Sequence, residues 1–214
     1  TRTNEPLSVR ARLRSSDGSY RLNRLALWIQ SEWPLGSSIG RYLLNRVSSP
    51  DAPVSLRNYE ASYDVAELEP ASRESSTYLM QEYFVPTERF DQFVSKMREI
   101  LRLRNVNVLN VSITHSLKDP GSLLAWAQTD VVSFLIHYKQ ETTHAALAAE
   151  EVWTRELVNA ALNVNGSYYL GYRLNATPEQ FARAYPHAAE FVALKRRVDP
   201  TNKFRNRMLD LYLR

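Results

Sequence analysis

Residues 77–85, TYLMQEYFV, begin the part of the sequence that decides the fold. The segment is rich in aromatic and branched side chains and ends at Pro86, which is typical of a β-strand. Thr87 is a favourable N-cap residue, so we predict that a helix follows directly. Apolar residues then recur at helical spacing and predict one buried face for that helix. This stripe consists of Phe90, Phe93, Val94, Met97, Ile100 and Leu101.

Three further strands and a second helix follow along the chain. Residues 106–115 (VNVLNVSITH) and 130–138 (DVVSFLIHY) read as strands on either side of a Lys-Asp-Pro-Gly turn. Residues 143–163 read as a long helix that ends at Asn-Gly, and residues 167–173 (SYYLGYR) read as the last strand. The order β-α-β-β-α-β predicts an α+β, ferredoxin-like fold: an antiparallel sheet with both helices on one face.

The chain divides into three predicted regions. We expect residues 1–76 to be a basic helical lead-in and linker, 77–173 the ferredoxin-like domain, and 174–214 a helical tail. Residues 1–48 hold eight arginines but only three acidic residues. Such a segment could meet nucleic acid, an anionic membrane surface or an acidic partner domain, or be the solvated side of an amphipathic helix.

Composition excludes several functional classes. The 214 residues are 44% hydrophobic and 23% charged, which is typical of a globular protein. The absence of cysteine excludes disulfides and thiolate sites, and the four scattered histidines lack zinc-ligand spacing. No apolar run reaches the roughly 20 residues of a membrane helix. No GxGxxG or Walker A motif is present, so the sequence does not support a self-sufficient nucleotide enzyme.

The strand at residues 106–115 has one polar and one apolar face. Because side chains alternate across a strand, Asn110, Ser112 and Thr114 point one way, while Val111 and Ile113 point the other. Three polar residues in a row along one face of the strand indicate either a ligand-facing surface or a solvated sheet face.

Two other features stand out within predicted strands. Glu82 interrupts an apolar strand, where a carboxylate is costly unless it is exposed, paired or used. It could pair with an arginine on the next strand, bind a substrate hydroxyl or act as a base. Tyr168 and Tyr169 are neighbours on the last strand, so one of the two must face the helices.

Several motifs occur in an order that resembles a known family. They are QEYFVP at 81–86, NVSITH at 110–115 and GSYYLGY at 166–172, followed by Tyr185-Pro186, Lys195, Asp199-Pro200, Phe204 and Asn206. From about residue 77 to its end, the chain resembles the C-terminal region of FAD-linked oxidases of the vanillyl-alcohol oxidase superfamily. The similarity is to the branch of sugar-lactone, alditol and decaprenyl-phosphoryl-ribose oxidases.

The resemblance implies a role for each motif. The chain would be the cap that covers the flavin of an FAD-dependent oxidoreductase, with the FAD-binding domain lying N-terminal to it and absent from this chain. A small hydroxyl-bearing substrate would be oxidised by hydride transfer to FAD, which this chain alone would hold poorly. Glu82 and His115 would be catalytic. The implied substrate-binding residues are Asn110, Ser112, Thr114, Tyr168 and Tyr169, and the implied cofactor-binding residues are Lys195 and Asn206.

The sequence departs from the family pattern at two positions. Thr114 stands where the family has an arginine, and Gly171 stands where a proline is usual. These departures bear on which substrate the cap would accept.

Two other functions fit the same element order. An RNA-binding domain shares it, but SFLIHY at 133–138 lacks the basic residue and glycine that open an RNP1-like motif. A non-catalytic sensing or dimerisation module is the second alternative. We expect no nucleic-acid partner, no membrane span and a cytoplasmic location, and we leave homodimer formation open.

Overall fold

The structure is a computed structural model that describes residues 4, 6–13, 21–33, 54–56, 58–59 and 72–213. The chain forms two compact units, residues 1–78 and 79–214. In the first unit, helix α1 (Arg21–Glu32) buries Ala26 and Leu27 and leaves Trp28 and Trp33 about half exposed. A short extended contact joins Ser8 to Val54, whose carbonyl accepts from the Ser8 amide at 3.0 Å.

The second unit contains the β-α-β-β-α-β arrangement. Its strands lie in the order β2-β3-β1-β4, which confirms the predicted ferredoxin-like antiparallel sheet. The elements are β1 (Ser76–Pro86), α2 (Phe90–Leu103), β2 (Asn107–Ser116), β3 (Val131–Glu141), α3 (His144–Leu162) and β4 (Ser167–Tyr168).

Both helices cover the same face of the sheet. On α2, Phe93 packs against Tyr83 of β1 and Phe134 of β3, with ring centroids 6.0 and 5.0 Å apart. On α3, Trp153 packs edge-on against Tyr138 of β3 at 4.9 Å. All five side chains are at most 4% exposed. We call this side of the sheet the helix-covered face.

Two local predictions are wrong. Thr87 does not cap α2, because a 3-10 turn (Thr87–Arg89) intervenes and the Thr87 hydroxyl donates instead to the Asp130 carbonyl at 3.3 Å. The last strand also ends early, at Tyr168. The Tyr169 amide still donates to the Glu82 carbonyl at 2.9 Å. The Tyr169 ring then lies against Gly171, where an added Cβ would come within 2.4 Å of it, and the chain turns away.

The tail packs on the helical side of the domain. Thr177 caps helix α4 (Pro178–Ala184) in a capping box with Gln180, and helices α5 (Ala188–Val198) and α6 (Arg207–Tyr212) follow. Phe181 stacks on Tyr212 with ring centroids 4.5 Å apart. Within the described ranges, no helix combines the length and apolar character needed to cross a membrane.

Candidate functional site

The strand register brings polar side chains from three strands onto one side of the sheet. Thr114 of β2 lies opposite Ser133 of β3, and directly opposed residues of an antiparallel pair share a face. Ser133 in turn contacts Glu82 of β1. Since Ser133 is adjacent to Phe134, this row lies opposite the helix-covered face. We call this side of the sheet the polar face.

Glu82 and Ser133 form the closest polar contact of this face. The Ser133 hydroxyl donates to Glu82 Oε1 at 2.5 Å. Ser133 is only 2% exposed, whereas Glu82 is half-buried. Among the described residues only Oε1 of Glu82 accepts a hydrogen bond, which leaves the lone pairs of Oε2 to a ligand. A serine inside the otherwise apolar strand VVSFLIHY is the sequence signal that could have identified Ser133.

Aromatic rings line one side of Glu82. Phe84 stacks on Trp126 with ring centroids 4.2 Å apart, and Tyr169 meets Phe84 edge-on at 6.5 Å. Tyr172 meets Tyr169 edge-on at 5.0 Å. Burial raises the pKa of Tyr172, and the negative charge of Glu82 raises it further. We call these four rings the aromatic wall.

Asn110 and Ser112 extend the polar face along β2. The Asn110 side-chain amide donates to the Ser112 hydroxyl at 3.0 Å. Asn110 is exposed and Ser112 half-buried. Asn110 lies opposite His137 of β3. His137 was not among the site residues predicted from the sequence. The His137 ring is 9% exposed, and burial lowers its pKa.

Two residues predicted for the site lie on the helix-covered side. His115 is opposite Val132, one residue out of phase with Thr114, and its side chain is exposed. Tyr168 pairs with Tyr83, is 2% exposed and contacts the Tyr185 ring at 5.8 Å. The structure therefore brings Glu82 together with Ser133, Thr114 and Tyr169, and does not bring His115 or Tyr168 to the same face.

Lys195 and Asn206 occupy a separate location in the tail. Lys195 forms an ion pair with Asp199 and donates to the Asn202 side-chain oxygen at 3.0 Å. The hydrogen bond from Lys195, with two backbone amides, lowers the pKa of Asp199 to about 2. Lys195 and Asp199 line a cavity of about 620 Å³ that is formed by residues of the tail. Asn206 caps α6, accepting from the Leu209 amide at 2.8 Å.

The polar face has the components of a site for a hydroxyl-bearing ligand. A half-buried carboxylate can accept a hydrogen bond or a proton, and the amide and hydroxyl groups of β2 can donate and accept. The aromatic wall offers flat apolar surface beside them.

Comparison with known proteins identifies a family over most of the chain. Residues 26–212 match the family model described as D-arabinono-1,4-lactone oxidase. No curated protein matches the chain. The matched range includes both the polar face and the tail.

Proposed function

The chain belongs to the D-arabinono-1,4-lactone oxidase family, which is the C-terminal region of FAD-linked oxidases of the sugar-lactone branch. On this premise, we propose that the chain is the substrate-binding cap of such an oxidase. The substrate is a small hydroxyl-bearing molecule: a sugar, lactone, polyol or hydroxy acid. An N-terminal domain of the same protein binds most of the FAD. The reaction removes a hydride from the carbon that bears the hydroxyl, and the hydroxyl proton leaves to a side chain.

The Glu82–Ser133 pair is the observation that carries this proposal. Its 2.5 Å hydrogen bond fixes Oε1 of a half-buried carboxylate beside the aromatic wall. An acceptor held in place on a sheet is better oriented for proton transfer than one on a mobile loop.

The aromatic wall supports a role next to a flat cofactor. The half-buried Trp126 ring and the Tyr169 ring, which is 37% exposed, give apolar surface of the kind that packs against an aromatic ring system, and the buried Phe84 ring supports both. The sequence holds no GxGxxG motif for the pyrophosphate, which is consistent with a cap that contacts only the ring portion of FAD. When bound, FAD supplies the hydride acceptor. Lys195 and Asn206 are assigned to the cofactor side on the family resemblance alone.

The residues of the polar face bind the substrate and accept its hydroxyl proton. Glu82 accepts the proton of the substrate hydroxyl through Oε2, while Ser133 holds Oε1. Asn110, Ser112 and Thr114 bind further hydroxyls of the substrate. Tyr169 forms a flat wall. His115 and Tyr168 are left out of the mechanism because they lie on the opposite side of the strands from Glu82.

Glu82→Gln in the full-length flavoprotein tests this function. The amide keeps the size of the side chain and cannot act as a base at neutral pH. We expect flavin reduction by sugar lactones or polyols, followed by anaerobic stopped-flow absorbance, to slow by about 10²- to 10⁴-fold. The FAD content per protein should stay at the wild-type level.

Glu88→Gln is the matched control. It removes the same charge six residues away, from the exposed 3-10 turn after β1, and should leave both quantities unchanged. Equal losses of FAD content and reduction rate in Glu82→Gln would mean that Glu82 is structural, and wild-type reduction would exclude it as the base.

A further inference from the structure

A buried polar cluster lies behind the sheet, away from the polar face. Its centre is Glu150 of α3, which is 0% exposed. The Tyr138 hydroxyl of β3 donates to Glu150 Oε1 at 2.6 Å, and the guanidinium of Arg173 donates to Oε2 at 3.1 Å. Burial, and then the charge of Glu150, raises the pKa of Tyr138 and keeps it a hydrogen-bond donor.

Each oxygen of Glu150 is satisfied by a different element. A buried carboxylate is tolerated only when it is paired and hydrogen-bonded. Here one partner comes from the centre of the sheet and the other from the segment after β4. Glu150 therefore joins α3 to β3 and to that segment.

Arg173 directly follows Tyr172 of the aromatic wall. Two residues later, the Asn175 side-chain amide donates to the Thr154 hydroxyl at 3.0 Å. The backbone carbonyl of Asn175 accepts from Arg155 Nε at 2.6 Å. Thr154 and Arg155, like Glu150, belong to α3.

The segment that carries Tyr169 and Tyr172 is thus fixed at both ends. At its start, the Tyr169 amide donates to the Glu82 carbonyl at 2.9 Å. At its end, Arg173 is bound to Glu150. Between them β4 has ended, so the ladder of the sheet does not hold residues 170–172. Their placement depends on the Tyr169 hydrogen bond at one end and, at the other, on Arg173 together with the Asn175 contacts to α3.

We propose that Glu150 and Arg173 are positioning residues that set Tyr169 and Tyr172 beside Glu82. The anchor itself is independent of the enzyme's activity, while its effect on substrate binding rests on the proposed function. A purely structural ion pair would contribute to stability and leave the two tyrosines in place when both charges are removed.

The double variant Glu150→Gln with Arg173→Met separates these roles in the full-length flavoprotein. Removing both charges together leaves no buried charge unpaired, but the amide that replaces the carboxylate has a buried N–H without an acceptor, so we expect a modest fall in Tm. The link to Arg173 is lost, so amide hydrogen exchange should become faster at Tyr169, whose N–H donates to the Glu82 carbonyl. For loss of a well-placed aromatic contact, we expect KM to rise by about 3- to 10-fold, with kcat changed less.

Lys96→Met with Glu99→Gln is the matched control. It deletes an ion pair on α2 whose side chains are 54% and 61% exposed, and it should alter none of the three readouts. Wild-type exchange at the Tyr169 amide of the Glu150/Arg173 double variant would overturn the proposal.

The kinetic result distinguishes the anchor from the proposed function. Faster exchange with wild-type KM would overturn the positioning role if Glu82→Gln still slows flavin reduction. If Glu82→Gln has no effect either, the faster exchange supports the anchor, and it is the proposed function that fails.

Discussion

The two faces of the sheet use the same strands for different purposes. On the helix-covered face, Tyr83, Phe134 and Tyr138 are 0–1% exposed and pack against rings of α2 and α3. On the polar face, Glu82 and Ser133, which adjoin Tyr83 and Phe134 in the chain, form a hydrogen bond that engages Oε1 of the carboxylate. Adjacent residues of the same strand therefore belong to the hydrophobic core and to the candidate site in turn.

This contrast shows where substitutions should act on folding and where they should act on chemistry. Close-packed aromatic contacts leave little room for change, so the helix-covered face should dominate stability. The polar face makes fewer buried apolar contacts and can vary with the substrate at lower cost in stability. Substitutions on the two faces can test this division.

Phe134→Ala should have the largest effect on stability. The Phe134 ring is 0% exposed and lies 5.3 and 5.0 Å from the rings of Phe90 and Phe93. Truncation removes buried apolar surface and leaves a cavity, so the free energy of unfolding should fall by about 3–5 kcal/mol. Urea denaturation followed by circular dichroism measures this change.

Leu135→Ala is the control from the other face of the same strand. Leu135 is half-buried, and its truncation should cost about 1 kcal/mol. Similar losses for the two variants would mean that the polar face is packed as tightly as the core.

Gly166→Ala tests how closely the helix layer approaches the sheet. An added Cβ would lie 2.3 Å from the Phe84 carbonyl oxygen of β1 and 2.9 Å from that of Ala161 in α3. Both contacts are to backbone, which cannot move aside as a flexible side chain can. We expect the free energy of unfolding to fall by about 1–3 kcal/mol.

Gly121→Ala is the companion variant in the loop between β2 and β3. Apart from the adjacent residues, no atom of the described part of the chain lies within 4 Å of the added Cβ, so the stability of this variant should match or slightly exceed that of the wild type. A neutral Gly166→Ala in the same denaturation assay would show that the joint between α3 and β1 is looser than the structure indicates.

The fold could be predicted because each strand and helix is encoded by a short local pattern of side chains. The aromatic and branched side chains of residues 77–85 and the apolar stripe of α2 are both local features of the sequence, and such features along the chain predicted the element order. The family resemblance is also confirmed by the match over residues 26–212. The cap at Thr87 was missed because a single 3-10 turn depends on the contact with Asp130, 43 residues away.

The composition of the site was harder to predict, because it depends on which face a residue occupies. Alternation along NVSITH already puts His115 on the side of Val111 and Ile113, and the pairing of His115 with Val132 shows that this is the helix-covered side. The contact of Glu82 with Ser133 depends on the register between β1 and β3, strands separated by a helix and another strand. Neither local periodicity nor a motif contains that information.

His137 offers a smaller test, because it is a buried ionisable ring on the polar face. Burial lowers its pKa below the ordinary value of 6.5. As the pH falls below about 6.5, the unfolded chain therefore binds a proton that the folded chain resists. The free energy of unfolding should decrease with falling pH, and His137→Gln should weaken that decrease. Urea denaturation at several pH values between about 5 and 8, where histidine titrates, measures the slope.

Asn110→Ala is the control, because it changes the exposed residue opposite His137 and removes no ionisable group. It should preserve the wild-type dependence of stability on pH. If both variants change the slope equally, the slope does not come from the titration of His137. If only His137→Gln flattens the slope, the polar face contains a desolvated end next to Asn110, where a ligand would meet a neutral imidazole.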